Sequence, residues 1–549
     1  MNRFIVIKII LLVIIIIAAI LRLWNLGGNP PHLTPDEAAL GYNAYSILKT
    51  GKDEYGQILP VIFKSFGDYK PGLYVYLTVP FVAIFGLTEF AVRLPSALFG
   101  ILSVFLIFRI CLKTDNWKLA IPAAFFAAVN PWLIYFSRGA WEANVALTLT
   151  LAGIYFFFKS FKYSKLLLLS SGFLALTYLT YQGAKLSTTI VVAVLVIVYF
   201  KSVLKIDRQV LVSSGVLGLL ICAPIILSLL HGQAGRLEVF SVFSYPRPVD
   251  YMQNFLDEGG EKIGGINYYL FHSETFNFLR GVMGRWFNYF SARFLFFEGD
   301  YANPGHTPPN AGMLLLLDSV LLILGLMYLV KFKSRFKWFV LAWLILAPLP
   351  GAVSRDQVNS IRSLSMAVSL IIIVALGVIQ FFEFVRRFKF KRLVYVVFCI
   401  LYFGNIIYFL DSYFVHQPTH NAKYWFYGYE QVVQQIWPAR ENYTKIVFQQ
   451  SYSQPYMYFL FYAKYDPSTF QKQANLVLTG PDVGLVKSLE KIEFADINIP
   501  DLRNQNKYLV VANYVTLPEE ILTRIPEFKL VNDVTYPDGQ VAFRIVETR

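Results

Sequence analysis

Long apolar runs recur along most of the chain, and they constrain its fold more than any other feature. Eleven of them are long enough, or nearly so, to cross a bilayer as helices. They lie at about residues 4–23, 93–110, 119–136, 141–158, 166–181, 186–200, 209–230, 311–330, 338–352, 363–384 and 393–411. Only 15% of the residues are charged, against about a quarter in soluble domains. The sequence therefore predicts a polytopic α-helical membrane protein.

Short basic segments separate alternate apolar runs and set the expected orientation. They read CLKTDNWK, KSFKYSK, KSVLKIDR, KFKSRFK and RRFKFKR. Because basic loops stay in the cytoplasm, the N-terminus is predicted to be cytoplasmic, in the cell membrane of a prokaryote. Everything after about residue 412 is then outside.

Two apolar segments allow a second interpretation. The first run resembles a signal peptide, but it lacks a convincing small-residue cleavage site before Trp24, so we expect an uncleaved anchor. The run at 71–86 is short and contains Pro80. A crossing there would invert every later basic loop, so we expect a helix in the membrane interface.

The distribution of polar sequence predicts two parts. Residues 1–411 form a transmembrane module with a first outer loop at 24–92 and a long outer loop at 231–310. Residues 412–549 have the composition of a soluble protein and contain the strand-like runs YTKIVFQ, ANLVLT and KYLVVANYV. A final hairpin is predicted around Asp538–Gly539. We therefore expect a small extracytoplasmic α/β domain here.

Asp36 and Glu37 stand in the first outer loop, within the segment TPDEAALGYNA. Thr34 and Pro35 fit the start of a helix, with Glu37 closing a capping box. Capping is compatible with catalysis, because Asp36 would stay ionised at a helix N-terminus and could act as general base toward a hydroxyl. We predict a catalytic Asp36 with Glu37 at the same cavity. Capping alone is the alternative.

Lys70, Arg138 and Glu142 stand where predicted helices meet the outer surface. The Lys70 ammonium suits a phosphate leaving group, and anchoring to lipid headgroups is the alternative. Arg138 and Glu142 are four residues apart, the spacing of an ordinary helical ion pair. The functional interpretation makes Glu142 a second catalytic acid facing Asp36 and places Arg138 near the phosphate.

Further candidates stand later in the chain. Arg355, Asn359 and Arg362 have the i, i+4, i+7 spacing that would place two guanidinium groups on one helical face, toward a phosphate or toward lipid headgroups. His306 and Asp300 are predicted to line the cavity. Arg93 is expected to be a membrane anchor or part of a structural ion pair.

The charge distribution and the missing motifs argue against several classes of function. The net charge of +14 is spread over short loops rather than gathered in a stripe, so we expect no nucleic-acid partner. The chain has no GxGxxG, P-loop or HExxH motif. Pro418 separates His416 from His420, so no metal site is predicted there. The sequence identifies no cofactor with certainty, and assistance by a divalent cation stays open.

The motifs together resemble the C-type membrane glycosyltransferases of the protein O-mannosyltransferase and aminoarabinose-transferase group. The matching segments are Asp36–Glu37, KPGLY at Lys70–Tyr74, EFAVRLPSALFG at Glu89–Gly100 and NPWLIYFSRGAWEAN at Asn130–Asn144. The resemblance covers roughly the first 200 residues. Two departures stand out: Glu142 occupies a position where relatives often have Asp, and KPG replaces the commoner KPP.

The resemblance implies a C-type glycosyltransferase fold and an inverting sugar transfer on the outer face of the membrane. The donor would be a polyprenyl-phosphate-linked sugar that enters from the bilayer, and the acceptor would be a hydroxyl on an unknown glycan, lipid or protein. Asp36 would be the base and Lys70 would contact the lipid phosphate.

Two other classes of function remain as alternatives. A flippase or transporter of lipid-linked sugars would show paired halves and charges at mid-bilayer. The sequence shows no internal repeat, and Asp318 is the one prominent acid inside a later span. An inactive scaffold that binds glycan through its outer domain is the second alternative.

Overall fold

The protein is mostly helical, with one small mixed sheet. The computed structural model describes residues 3–114, 116–230, 241–244, 246–451, 453–473, 476–480, 483–503 and 505–549. Part of the predicted long outer loop, residues 231–240 and 245, lies outside this description.

The helices before residue 259 include the segments that surround the site described below. They are α1 (Arg3–Leu23), α2 (Pro35–Thr50), α3 (Leu73–Phe85), α4 (Glu89–Cys111), α5 (Trp117–Val129), α6 (Pro131–Ser137), α7 (Glu142–Ser160), α8 (Leu166–Tyr178), α9 (Ala184–Val198), α10 (Phe200–Val203), α11 (Arg208–Leu230) and α12 (Val249–Glu258).

The later helices complete the bundle and flank the sheet. They are α13 (Glu274–Asn288), α14 (Asp318–Lys331), α15 (Arg335–Leu346), α16 (Leu349–Ala352), α17 (Met366–Val385), α18 (Lys391–Asp411), α19 (Gln417–His420), α20 (Tyr429–Ala439), α21 (Pro455–Tyr462), α22 (Pro467–Gln473), α23 (Ile499–Leu502) and α24 (Glu519–Arg524). Short 3-10 or π turns occupy Leu112–Thr114, Val242–Ser244, Tyr268–His272, Arg293–Phe297, Pro304–His306, Ser412–His416, Ala422–Trp425 and Arg440–Asn442.

Each predicted apolar run contains a helix, which confirms the polytopic membrane class. Within the described ranges, six helices are long and apolar enough to cross a membrane. The pair α5 and α6 raises this number to seven if it is one span, bent by 55°. The bend has a local cause, because Asn130 leaves the helical conformation and its side chain caps α6 at Leu133. The remaining runs form shorter helices.

Two membrane helices touch backbone to backbone. Cβ atoms added at Gly325 of α14 and Gly377 of α17 would collide with the backbone of Ile373 and Leu321, respectively. The absence of side chains at these glycines therefore permits the close packing of α14 on α17, as small residues do in membrane helix pairs.

Helix α3, in the predicted interfacial run, follows a hairpin that the sequence reasoning missed. The hairpin pairs β1 (Ile62–Ser65) with β2 (Asp68–Pro71) in antiparallel register. Its two-residue turn has positive φ at Phe66 (53°) and Gly67 (92°), as a tight type I′ turn requires. Helix α3 has 13 residues, fewer than the roughly 20 of a full span.

The chain after residue 440 forms the predicted sheet. The strands are β3 (Lys445–Gln449), β4 (Leu476–Gly480), β5 (Val483–Val486), β6 (Ser488–Leu489), β7 (Ile492–Ala495), β8 (Tyr508–Ala512), β9 (Phe528–Thr535) and β10 (Val541–Thr548). The six-stranded order is β6-β7-β3-β8-β10-β9, with β3 parallel to β7 and β8. The predicted strands and final hairpin are confirmed, and Gly539 has the positive φ (87°) of its turn.

The sheet domain (the chain after residue 440) shares a hydrophobic core with the first outer loop (residues 24–92). Tyr42 of α2 and Phe461 of α21 are buried in one cluster, and a Cβ at Gly41 would collide with Phe461. His32 lies beside the rings of Tyr458 and Tyr462, at centroid distances of 5.3 and 5.4 Å. The sheet domain therefore supports the loop that contains Asp36 and Lys70.

Candidate active site

Helix α2 starts with the predicted capping box. Thr34 Oγ1 accepts a hydrogen bond from the Glu37 backbone N–H (3.2 Å), and Glu37 Oε2 accepts one from the Thr34 N–H (2.9 Å). Pro35 occupies the first turn, where its missing N–H costs nothing. This local arrangement fixes the direction of the Asp36 side chain, which lies between these capping residues.

Glu37 is buried and forms an ion pair inside the protein. Its Oε1 accepts hydrogen bonds from Arg93 Nε (3.1 Å) and from the Ala140 backbone N–H (2.8 Å). Arg93 also donates to the carbonyl groups of Pro30 and His32. Of the two interpretations of Arg93, the structural ion pair is confirmed. Glu37 is predicted to be a cavity residue, but in this structure its carboxylate contacts protein groups.

Asp36 faces outward and pairs with Lys70. The Asp36 side chain is 54% exposed, and the Lys70 ammonium donates a hydrogen bond to its Oδ1. Lys70 is mostly buried, and its ammonium lies 5.1 Å from the centroid of the Phe66 ring. The missed hairpin thus positions Lys70 against Asp36, and Gly67 was the signal in the sequence that could have revealed the turn.

Arg138 is buried and its donors go to protein acceptors. Its guanidinium donates to the carbonyl groups of Leu21 (2.9 Å), Trp24 (2.7 Å) and Asn29 (2.9 Å), and to the Tyr413 hydroxyl (3.1 Å). These bonds join α6 to the end of α1.

Glu142 begins α7 and is partly exposed. Arg138 and Glu142, both described in the structure, form no ion pair with each other. The alternative interpretation of their spacing, an ordinary helical ion pair, therefore does not apply. Glu142 is next to Trp141, whose ring packs edge-on against His306 (5.4 Å) and Trp425 (6.1 Å). The acid therefore lies at the edge of an aromatic wall.

His306 and Asp300 hold two loops together. His306 Nδ1 lies 3.1 Å from Asp300 Oδ2, and the same oxygen accepts from the Ser360 N–H and hydroxyl, both at 2.7 Å. Burial raises the pKa of Asp300, but the hydrogen bonds, first from His306 and then from Ser360 and Asn303, hold that pKa below its usual range. Asp300 is thus a buried anchor, and His306 remains a predicted cavity residue.

The predicted helical face at Arg355, Asn359 and Arg362 is wrong. Helix α17 begins only at Met366, and the residues before it form turns. The reason is tertiary: the Asp300 bonds to Ser360 pull this segment out of helical geometry. Arg362 instead pairs with Asp356 (3.2 Å), and Arg355 is exposed. The two arginines therefore do not share one helical face, and they remain predicted phosphate contacts.

Two cavities have different relations to these residues. A small one lies beside the start of α7, lined by Ala143, Leu147, Tyr181, Ser187, Arg362 and Ser365. A larger one of about 300 Å³ lies between Phe296, Leu315 and Tyr408. Its lining does not include the predicted residues. Of these two cavities, the small one adjoins the candidate residues, because Arg362 and the first turn of α7 border it.

A second acidic pair, Asp53–Glu54, is buried in the first loop. Asn43 donates to Glu54 Oε1 (3.1 Å) and accepts from its backbone N–H (3.0 Å). Burial raises the pKa of Glu54 to about 8. Residues distant in the chain cover this segment: Gln471 donates to the Asp53 carbonyl (2.9 Å), and the Tyr456 hydroxyl lies 3.4 Å from that of Tyr55.

No group of three or more His, Cys, Asp or Glu side chains that could hold a metal ion occurs in the described ranges. His416 instead lies 3.2 Å from Asp411.

Comparisons with known proteins agree with this architecture. The family described as dolichyl-phosphate-mannose-protein mannosyltransferase matches residues 69–227. No curated protein matches the chain. The solved structure of ArnT from Cupriavidus metallidurans bound to undecaprenyl phosphate is similar over 98% of this chain and 97% of its own, with a TM-score of 0.56 and 12% identity. The apo ArnT structure gives a TM-score of 0.53, 13% identity and the same coverage.

The chain has the C-type glycosyltransferase fold. This confirms the resemblance drawn from Asp36–Glu37, Lys70–Tyr74 and the two later motifs. The family match begins at Tyr69, directly before Lys70, and ends in α11. The structural similarity to ArnT extends over nearly the whole chain, so it includes both the first loop and the sheet domain.

Proposed function

We propose that this protein is an integral membrane glycosyltransferase that moves a sugar from a polyprenyl-phosphate donor to a hydroxyl acceptor on the outer face of the cell membrane. The observation that carries the proposal is the Asp36–Lys70 pair, which places a half-exposed carboxylate against a mostly buried ammonium. The fold and the family match at residues 69–227 support it. The undecaprenyl phosphate bound to ArnT suggests the donor class.

Asp36 is the proposed general base. The N-terminus of α2 and the Lys70 ammonium both favour its ionised form. Its exposed side chain can reach an acceptor hydroxyl, whereas Glu37 is occupied by Arg93 and Ala140. The acceptor oxygen attacks the anomeric carbon while Asp36 takes the hydroxyl proton.

Lys70 is the proposed phosphate contact. As the new bond forms, the bond between the anomeric carbon and the phosphate oxygen breaks, and the polyprenyl phosphate leaves with the electron pair. An in-line attack of this kind inverts the anomeric centre. Negative charge grows on the departing phosphate, so a fixed ammonium stabilises the transition state more than the ground state.

The other predicted residues take supporting roles in this proposal. Glu142 lies at the edge of the aromatic wall and contacts the acceptor or the sugar. Arg362 borders the small cavity beside α7, where it meets the donor phosphate as the lipid enters. Arg355 contacts the same lipid from the surface. Arg138 would have to release its carbonyl acceptors to reach a phosphate, so we propose that it positions the segment from Leu21 to Asn29.

The test is sugar transfer in proteoliposomes that contain a polyprenyl-phosphate sugar and extracts of candidate acceptors. Asp36→Asn should abolish transfer, because the amide cannot accept the hydroxyl proton. The matched control is Asp538→Asn, an acid in the exposed turn between β9 and β10. Full activity of Asp36→Asn would remove Asp36 from the role of base.

The same membranes separate the rival functions. If donor lipid crosses the bilayer but no glycosylated product forms, the protein is a flippase. If it binds glycan with neither transfer nor lipid movement, it is a scaffold.

A further inference from the structure

The segment before α9 is tied to the hairpin that contains Lys70. Gln182 Nε2 donates to the Tyr69 carbonyl (2.6 Å), and the Leu73 N–H donates to the Leu179 carbonyl (3.0 Å). Lys185 stands in the first turn of α9, three residues after Gln182. These bonds hold Lys185 beside the hairpin, although it is more than 100 residues away from Lys70 in the chain.

The side of the hairpin that Lys185 approaches is the side of Lys70. Residues two apart in a strand point to the same face, so Asp68 and Lys70 share one face of β2. Both are buried, whereas Tyr69 between them is half-buried. The Asp68 carboxylate attracts the Lys185 ammonium. Lys185 therefore lies on the Asp68 side of the hairpin, the side that Asp68 shares with Lys70.

The ammonium group of Lys185 makes no hydrogen bond within the part of the chain that the structure describes. The residue is half-buried, so its charge is partly desolvated. A desolvated ammonium raises the free energy of the folded protein unless it donates hydrogen bonds to an acceptor. Lys70, in contrast, already donates to Asp36. A donor phosphate that reached Lys70 would add negative charge beside Asp36 and Asp68, and a second cation is needed to offset it.

We propose that Lys185 binds the phosphate of the polyprenyl donor together with Lys70. This inference rests on the proposed function and adds a second phosphate contact to it. The ligand chemistry is a phosphate ester, which a membrane lipid or a free phosphate could supply. As the sugar leaves, the phosphate passes from one negative charge to two, so the pair of ammonium groups binds the product more tightly than one alone.

The experiment measures binding of undecaprenyl phosphate to the full-length protein in nanodiscs, with inorganic phosphate as the competitor. Lys185→Met retains most of the length of the side chain but removes the charge, and Lys185→Arg retains the charge. Lys70→Ala is the reference for a lost phosphate contact. Lys162→Ala, an exposed lysine in the loop between α7 and α8, is the control.

Loss of a charge-assisted hydrogen bond should weaken binding by Lys185→Met roughly tenfold or more, while Lys185→Arg and Lys162→Ala stay within about threefold. Unfolding temperatures measured without lipid separate lost binding from lost structure. If Lys185→Met is unfolded, Lys185→Ala replaces it. The inference then holds if folded Lys185→Ala loses binding while Lys185→Arg retains it.

Each remaining outcome is decisive. If the wild type binds and Lys70→Ala loses binding but the folded neutral variants at Lys185 do not, the inference about Lys185 is wrong and the proposed function stands. If the wild type does not bind undecaprenyl phosphate, both fail. If inorganic phosphate displaces the lipid from the wild type at equal concentration, the site is a general phosphate site and the assignment to a lipid donor is overturned.

Discussion

Arg93 Nε lies 3.1 Å from Glu37 Oε1, and both side chains are buried. The pair joins the start of α2 to α4, and the Ala140 N–H adds the connection before α7. Asp36, the preceding residue in the chain, instead points outward to Lys70. Two adjacent acids thus have different environments: Glu37 is buried in the framework, and Asp36 is half-exposed beside Lys70.

The first prediction concerns the stability of this framework. Glu37→Gln leaves the buried Arg93 charge without its partner, so the free energy of unfolding should fall by about 3–5 kcal/mol. The unfolding temperature in detergent measures this. Asp36→Asn, at the half-exposed neighbour, should change stability by less than about 1 kcal/mol. Equal effects of the two substitutions would contradict the division of roles.

The second prediction concerns Lys70 in the chemical step. Lys70→Ala should lower kcat about 10²- to 10³-fold, as removal of one stabilising donor does in other enzymes. Lys70→Arg retains the charge but changes its geometry, so it should recover part of the rate. Initial rates at saturating acceptor measure this. A change confined to the KM for the donor would show that Lys70 contributes to binding alone.

The third prediction concerns pH. Burial raises the pKa of Glu54 from 4.5 to about 8. A folded-state pKa above the unfolded one means that this group contributes its full stability below about pH 4.5 and loses it as the pH rises through 8. The unfolding temperature of the wild type should therefore fall between pH 5 and pH 8. The fall should be smaller in Glu54→Gln, because this variant lacks the titrating group. Parallel profiles would show that Glu54 is not buried as described.

The fourth prediction concerns the contact of α14 with α17. Gly377→Ala adds a Cβ that collides with the Leu321 backbone, and such overpacking should cost about 1–3 kcal/mol. Gly404→Ala in α18 meets open space and should be neutral or stabilise by up to about 1 kcal/mol. In detergent, the unfolding temperature of Gly377→Ala should therefore fall, and that of Gly404→Ala should stay the same or rise.

Features that depend on nearby residues could be predicted from the sequence. The capping box needs only Thr34 and Glu37, three residues apart, and the structure has it. The apolar runs became helices because backbone hydrogen bonds must be satisfied within a membrane. The strands of the sheet domain followed from β-branched and aromatic runs with a Gly539 turn.

Features that depend on distant contacts could not be predicted. The burial of Arg138 comes from carbonyl groups more than 100 residues away. The segment from Arg355 to Arg362 has helical spacing, but Asp300 draws its backbone into turns. Lys185 gave no signal beyond a single lysine before an apolar run, because its relation to Lys70 depends on the tertiary contacts of Gln182 with Tyr69 and of Leu73 with Leu179.

Strand β10 lies in the interior of the sheet, between β8 and β9. Its Phe543 and Ile545 belong to the same hydrophobic cluster as Tyr42 of α2. During translation, a nascent chain therefore carries the acid and the lysine of its first loop for most of its synthesis without the scaffold that orders them. The sheet closes only after residues 541–548 have left the ribosome, so the first loop gains this part of its packing long after its own synthesis.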